Sequence, residues 1–353
     1  MHQLDQLDFV TRLDPKGMLD LFSKFPDQCA EALSIAQASP LPKWSAKPDN
    51  VIVAGMGGSA AGGDFVKALF DADGSIPMVV SRDYTLPNWV GPGTLMFATS
   101  YSGNTEETLS AYAQAKKAGA NIIVVTGGGK LADLAAADGF PLIRIPGGQP
   151  PRTALGLLLL PVVVACEQLG LIPSQNYDQL IQALRDRVSE WGMDVPFERN
   201  EAKQLAQNLF GKLAVVYGLG NWQGLVAFRW KSQINENAKD MTFHHTFPEL
   251  NHNEILGWVN CQNQGVKQWV LITIEDGTES AKIRRRREVS VELLKDRIEL
   301  YPVVAKGATL LEKMIGVAML SDFVSTYLAS LNGVDPEDIT WLNYLKAELA
   351  KVN

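Results

Sequence analysis

The chain has 353 residues, 46% of them hydrophobic, with 32 basic and 39 acidic side chains and a formal charge of −7. That length supports two cores of roughly 150 residues each, and the mild acidity argues against a nucleic-acid partner, which needs a concentrated basic face. Cys29, Cys166 and Cys261 are an odd number at wide spacing without a metal-ligand pattern, which fits a reducing cytoplasm, and the charged N-terminus lacks the apolar core of a signal peptide.

The first forty residues read as helical. Asp14 before Pro15 suggests an N-cap with proline at N1, followed by an apolar side of Met18, Leu19, Phe22 and Phe25. A second helix is expected over 27–38, and Pro40, Pro42 and Pro48 punctuate the approach to a first domain. Residues 1–45 are taken as an N-terminal helical extension that packs against the domains.

Val51 to Thr108 holds the clearest pattern. VIVA at 51–54 predicts a buried strand, Gly55, Gly57 and Gly58 predict a tight turn, and Ala61, Phe65 and Leu69 mark one face of the helix after it. Leu95 to Ala98 repeats the strand, and Ser100, Ser102 and Thr105 crowd hydroxyls into the entry of the next helix. Such loops suit an oxyanion, because the first amides of a helix lack internal partners and hydroxyls add donors around them. The glycines alone are weak: no acidic strand end follows for a dinucleotide and no GKS or GKT for a P-loop.

IIVVT from Ile122 and Phe140 to Ile145 predict two more strands around a helix at 130–137, hence a largely parallel sheet covered on both faces. Ala154 to Cys166 is strongly apolar but too short for a comfortable membrane span, so a buried helix kinked at Pro161 is expected and no membrane partner. A helix over 177–191 lies in the polar crossover. LAVVYGLGN at 213–221 then echoes VIVAGMGG at 51–58, with strands expected at 269–274 and 298–304. The domains are set at 46–190 and 195–353, and facing sheet ends would create a cleft between them. The RRRR run at 284–287 sits in a helix over 279–294 between acidic residues without interleaved aromatics, so a solvated or interdomain face is the plainer reading. A long packed helix follows over 306–329.

GMGGSAAGGD at 55–64, SYSGNTEET at 100–108, PPRTALG at 150–156, QINENAK at 233–239, ELNHNE at 249–254 and DPEDITWLNYLK at 335–346 together resemble the bifunctional phosphoglucose/phosphomannose isomerases of the SIS-domain superfamily. The resemblance extends from about residue 50 to the end. It implies an α/β fold of two tandem SIS-type domains, each a mainly parallel five-stranded sheet flanked by helices, with a C-terminal catalytic helix. It also implies that Gly58, Ser59, Ser100, Ser102 and Thr105 hold the phosphate of a hexose 6-phosphate. Glu236 would move the proton between C2 and C1 through a cis-enediol(ate), and Arg152 would stabilise the developing charge. His252 and Lys346 would open the ring, the histidine being supplied by the neighbouring subunit of a homodimer with shared sites. No cofactor is implied.

Each of these residues has a plain structural reading as well: Arg152 could cap a turn, Glu236 and Lys346 could face solvent, and His252 could be a satisfied loop histidine. His244 and His245 are the sole adjacent histidine pair and lack a third ligand at recognisable spacing, so no metal is expected. Two rivals stay open. One is a SIS-domain isomerase of an amino-sugar or longer-chain sugar phosphate; the other is a sugar-phosphate sensor that has lost proton transfer.

Overall fold

The computed structural model describes residues 2–42, 44, 46–349, 351 and 352. The chain divides into two compact units. One holds Lys24–Arg185 with Thr309–Leu311; the other holds Met1–Ser23, Asp186–Ala308 and Glu312–Asn353. Each is described by itself.

Near the N-terminus lie α1 (Leu7–Leu13), α2 (Met18–Ser23) and α3 (Phe25–Ala38). The cap at Asp14 forms, but the helix it serves starts three residues later than the sequence suggests. Its carboxylate accepts from the amides of Met18 at 2.7 Å and Leu19 at 2.8 Å, so Pro15 lies in a turn before α2 and not at N1. Phe25 starts α3 and does not close the preceding helix.

The unit starting at Lys24 is built on β1 (Asn50–Ala54), α4 (Gly57–Asp73), β2 (Met78–Ser81), β3 (Thr94–Ser100), α5 (Glu106–Lys117), β4 (Asn121–Thr126), α6 (Gly129–Asp138), β5 (Leu142–Arg144) and α7 (Leu155–Gln168). All strand pairs are parallel, in the order β2-β1-β3-β4-β5. Side chains alternate across a strand. Ile52, Ala54, Met96, Ala98, Ile122 and Val124 therefore form one core with Ala111, Tyr112 and Ala115 of α5 and Leu131 and Ala135 of α6. The chain leaves this unit along α8 (Tyr177–Trp191). β2 is not evident in the sequence, since its four residues at the sheet edge are mostly half-buried and give no long apolar run.

The second unit contains α9 (Glu201–Leu209), β6 (Leu213–Gly218), α10 (Asn221–Gln233), β7 (Thr242–Thr246), α11 (Glu254–Gly257), β8 (Trp269–Glu275), α12 (Ala281–Leu294), β9 (Ile298–Val304), α13 (Leu310–Asn332) and α14 (Thr340–Leu349). Its sheet is parallel with the order β7-β6-β8-β9, four strands and not the expected five. Two features account for the missing strand. Pro302 lies inside β9 and lacks an amide hydrogen, which confines that strand to an edge. The chain then turns at Gly307 directly into α13, leaving no segment to pair beyond β9.

Residues 2–23 join this second unit through a buried cation. Lys203 Nζ donates to Asp5 Oδ1 at 2.9 Å and to the carbonyls of Met193 and Val195 at 2.9 and 2.8 Å. α13 is the one described helix long and apolar enough to cross a membrane, and 94% of its apolar window is buried within the protein. The arginine run lies on α12 and is tied into the same unit: Arg287 pairs with Glu275 at 2.9 Å and Arg285 with Glu288 at 3.0 Å.

Candidate functional site

In an open parallel sheet of order 2-1-3-4-5, the connections from the two central strands leave on opposite faces, and ligands bind outside the strand ends where they part. Here that point lies between β1 and β3. The loop after β1 carries Gly58 and Ser59; the loop after β3 carries Ser100, Ser102 and Thr105. α4 opens on Gly57 with no side-chain cap bond at its start, so the first-turn amides of Gly57 and Gly58 have no helix carbonyl before them.

Close approach explains Gly58. A Cβ there would stand 2.7 Å from the Pro151 carbonyl oxygen, so only glycine lets the first turn of α4 rest on the short 3-10 turn Pro151–Thr153 that carries Arg152. That turn is held from behind by α3, with Gln28 Nε2 donating to the Thr153 carbonyl at 2.9 Å and Gln28 Oε1 accepting from the Gly156 amide at 3.1 Å. Arg152 is buried, 6% exposed. The fold thus gathers Gly58, Ser59 and the Arg152 turn in one place.

The hydroxyls after β3 divide into two kinds. Ser100 is 1% exposed. Its Oγ lies 2.9 Å from Thr105 Oγ1 and accepts from the Gly103 amide at 3.0 Å, so it shapes the loop from beneath. Ser102 is exposed and Thr105 half-buried at the N-cap of α5. Gly103 has φ +69°, and a Cβ on it would collide with the Gly128 carbonyl oxygen at 1.6 Å, which clamps this loop to the one after β4. Asn104 strengthens the clamp, its Oδ1 accepting from the Lys130 amide at 3.1 Å.

Arg82, just beyond β2, escapes a reading of the sequence. It pairs with Asp64 of α4 and reaches the Ala60 carbonyl at 3.4 Å, placing a cation beside the first turns of α4. Burial pushes the Asp64 carboxyl up while Arg82 holds it down. The available signal is Asp64 itself, a carboxylate on a helix face otherwise apolar.

Glu236, His252 and Lys346 belong to the second unit. After α10 the backbone widens into a π-turn, Ile234–Ala238, with Glu236 half-buried at its centre; such widened turns recur at functional sites. Asn235 Oδ1 accepts from the Thr242 amide at 3.0 Å, fixing the π-turn beside the start of β7. His252 is exposed on a 3-10 turn, Glu249–His252, after the end of β7. In chain order Glu236 precedes β7 and His252 follows it, and Asn251 beside the histidine donates from Nδ2 to Ser290 Oγ of α12 at 2.9 Å. Lys239 Nζ donates to the Glu236 carbonyl at 2.7 Å and to the Pro336 carbonyl at 3.2 Å, which ties the π-turn to the segment that launches α14. Lys346 is exposed on that helix, as is every described side chain of it, including Trp341 at 90% and Tyr344 at 69%.

His244 and His245 point to opposite sides of β7. His244 packs on Phe228 with ring centroids 5.0 Å apart, and burial, helped by Lys231 and His245, lowers its pKa. His245 Nδ1 accepts from the Thr246 amide at 2.7 Å. Among the described residues, no group of three or more His, Cys, Asp or Glu side chains is placed to hold a metal ion.

Residues 46–137 match the SIS domain model, and residues 198–349 match the model for the bacterial phospho-glucose isomerase C-terminal SIS domain. Fold and site therefore define a protein of the SIS-domain phosphosugar isomerase superfamily. The chain is 36% identical over 338 residues to a bifunctional phosphoglucose/phosphomannose isomerase of Caldicellulosiruptor bescii, covering 95% of this chain and 99% of that one. It is 29% identical over 286 residues to a D-glucosamine-6-phosphate 4-epimerase of Sulfolobus acidocaldarius, covering 81% and 84%. A hypothetical protein of Thermus thermophilus shares the fold with a TM-score of 0.74 at 16% identity, covering 99% of this chain and 94% of that one. The chain belongs to the bifunctional phosphoglucose/phosphomannose isomerase family.

Proposed function

We propose that the protein interconverts glucose 6-phosphate and mannose 6-phosphate with fructose 6-phosphate by proton transfer through a cis-enediol(ate). The observation that carries this reading is Glu236, a carboxylate set on a fixed π-turn in a chain whose family bears that activity in its name. Glu236 takes the C2 proton and delivers it to C1. O1 gains a proton as the carbonyl becomes a hydroxyl, and O2 loses one as C2 becomes the ketone. One carbon is reduced as its neighbour is oxidised, so no external hydride acceptor is needed.

The amide of Gly58 and the hydroxyls of Ser59, Ser102 and Thr105 bind the phosphate, with Ser100 shaping the loop. Arg152 stabilises the enediolate, since a guanidinium fork matches two adjacent oxygens. His252 and Lys346 open the ring by moving a proton from the O1 hydroxyl to the ring oxygen. The exposed His252 and the exposed Trp341 and Tyr344 of α14 fit a homodimer in which the histidine serves the site of the second copy. Three unpaired cysteines suit a reducing cytoplasm, where this reaction stands in glycolysis and gluconeogenesis.

The similarity to a glucosamine-6-phosphate epimerase favours an amino-sugar phosphate as the second reading. A coupled assay with both aldose phosphates, fructose 6-phosphate and glucosamine 6-phosphate separates the two. Turnover of both aldoses, unchanged by prolonged EDTA, is expected; turnover of the amino sugar alone would replace the first reading with the second.

A further inference from the structure

The π-turn that carries Glu236 is gripped from one side by α13. Gln233, three residues before Glu236, donates from Nε2 to Asp322 Oδ1 at 2.5 Å, and Arg229, one turn earlier, donates to the same oxygen at 2.9 Å. Asn237, directly after Glu236, donates from Nδ2 to Ser325 Oγ at 2.9 Å. Ser325 Oγ in turn donates to the Asp322 carbonyl at 3.1 Å, which aims its acceptor lone pairs at Asn237. Gln233, Asn237, Asp322 and Ser325 are all at most 1% exposed. Residues three apart share one face of a helix, so Asp322 and Ser325 form a two-point mount on α13.

A buried polar group is costly unless it is bonded, and an apolar contact at these positions would hold the helices together without fixing a rotation. Hydrogen bonds do fix one. Burial pushes the Asp322 carboxyl up to about 6, while Arg229 and Gln233 hold it down. Two donors thus converge on one of its oxygens. Further anchors flank the mount: Trp230 Nε1 donates to the Val317 carbonyl at 2.9 Å, and Asn332 Nδ2 to the Ala238 carbonyl at 2.9 Å.

We propose that Asp322 and Ser325 are positioning residues for Glu236: they pin Gln233 and Asn237 on either side of it, and so set where its carboxylate stands relative to the substrate C1 and C2. Neither touches substrate. The inference rests on the reading of Glu236 as the base, and it predicts that the mount affects the chemical step and leaves binding alone, because a small displacement of a base is felt in proton transfer.

Ser325→Ala removes one oxygen and keeps the packing. Its kcat should fall about tenfold or more with KM within about twofold of the parent, measured well below the melting temperature. Asp322→Asn keeps an Oδ1 acceptor for Gln233 and should retain more kcat than Asp322→Ala. In a Glu236→Gln background, Ser325→Ala should cause no further loss, since the group it positions is gone. Asn237→Ala cuts the same bond from the other end and serves as the second probe: alone it should match Ser325→Ala, and combined with it add nothing. An unchanged kcat in Ser325→Ala, or a loss confined to KM, while Glu236→Gln is inactive would overturn the positioning role and leave the base in place. Parental kcat in Glu236→Gln itself would instead overturn the reading on which the mount depends.

Discussion

In the first sheet the chain leaves β1 through Gly57 and Gly58 and leaves β3 through Ser100 to Thr105; in the second it leaves β6 through Gly218 to Gly220 and leaves β8 through Glu275 to Glu279. The winding is the same, with the central pair of strands parting at the same point. The chemistry at that point is opposite. The first offers hydroxyls and uncapped amides. The second offers carboxylates already paired: Arg287 to Glu275 at 2.9 Å, Lys313 to Asp276 at 2.7 Å, and Glu279 Oε1 accepting from the Asp276 amide at 2.6 Å. A phosphate placed there would meet like charge. A doubly wound sheet provides a place for an anion, and the loop residues decide whether one is welcome.

The second sheet contributes elsewhere. Its candidate base lies not at the carboxyl ends of the strands but at the far end, where α10 turns back into β7, and its candidate histidine lies on the turn that follows β7. Under the proposed function the first unit would hold the phosphate and supply Arg152, and the second would supply the groups that move protons.

That division can be broken most severely at Arg152. Arg152→Ala should lower kcat by about 10²–10³ with a much smaller rise in KM, because charge on the substrate develops only in the transition state. Steady-state kinetics checks it, and an unchanged kcat would remove the residue from the mechanism. Arg152→Lys should recover part of the loss, as charge returns without the planar fork.

A smaller effect is expected at the phosphate loops. Ser102→Ala combined with Thr105→Ala should weaken 6-phosphogluconate binding by roughly 10²-fold, from two hydrogen bonds to a charged group at about 1.5 kcal/mol each, whereas alanine at Asp276 and Glu279 should leave that affinity as it was. Calorimetry on both pairs gives the contrast directly. Equal losses in both would erase the distinction between the two switch points.

The smallest effect concerns stability. Burial pushes the Asp276 carboxyl up, but hydrogen bonds from Lys313 and Thr278 outweigh it and hold it below its ordinary value. Since the folded pKa is lowered, the stabilisation is present above the unfolded value near pH 4 and is lost as pH falls through the folded one. Asp276→Asn should therefore cost about 1–2 kcal/mol at pH 7, with the gap from the parent closing below about pH 4 in denaturant titrations. A gap that persists undiminished at low pH would mean that the ion pair is not its source.

Much of this is legible in the chain. Val51–Ala54 and Leu95–Ala98 announce buried strands because both sheet faces are covered, and the hydroxyl-rich sequence after Phe97 announces the entry of a helix. Other parts are not legible, for physical reasons. β2 and β7 are edge strands with half-buried residues, so their hydropathy does not stand out. The fourth-strand limit of the second sheet follows from Pro302, whose effect depends on which strand it occupies. The Arg82–Asp64 pair joins residues that are close only once β2 lies beside β1. Asp322 and Ser325 look like ordinary polar positions in a long apolar helix, and nothing in the sequence around them indicates that α10 lies alongside.

The proposed shared site is tested most directly by combining two variants, each expected to be inactive alone. Glu236→Gln and His252→Ala, each carrying a different tag, are co-expressed and the mixed dimer is purified through both tags. If each site takes its glutamate from one copy and its histidine from the other, the mixed dimer has one site with both lesions and one with neither, and it should recover about half the parental turnover. A pure mixed dimer that stays inactive, while a doubly tagged parental dimer works, would contradict the shared site.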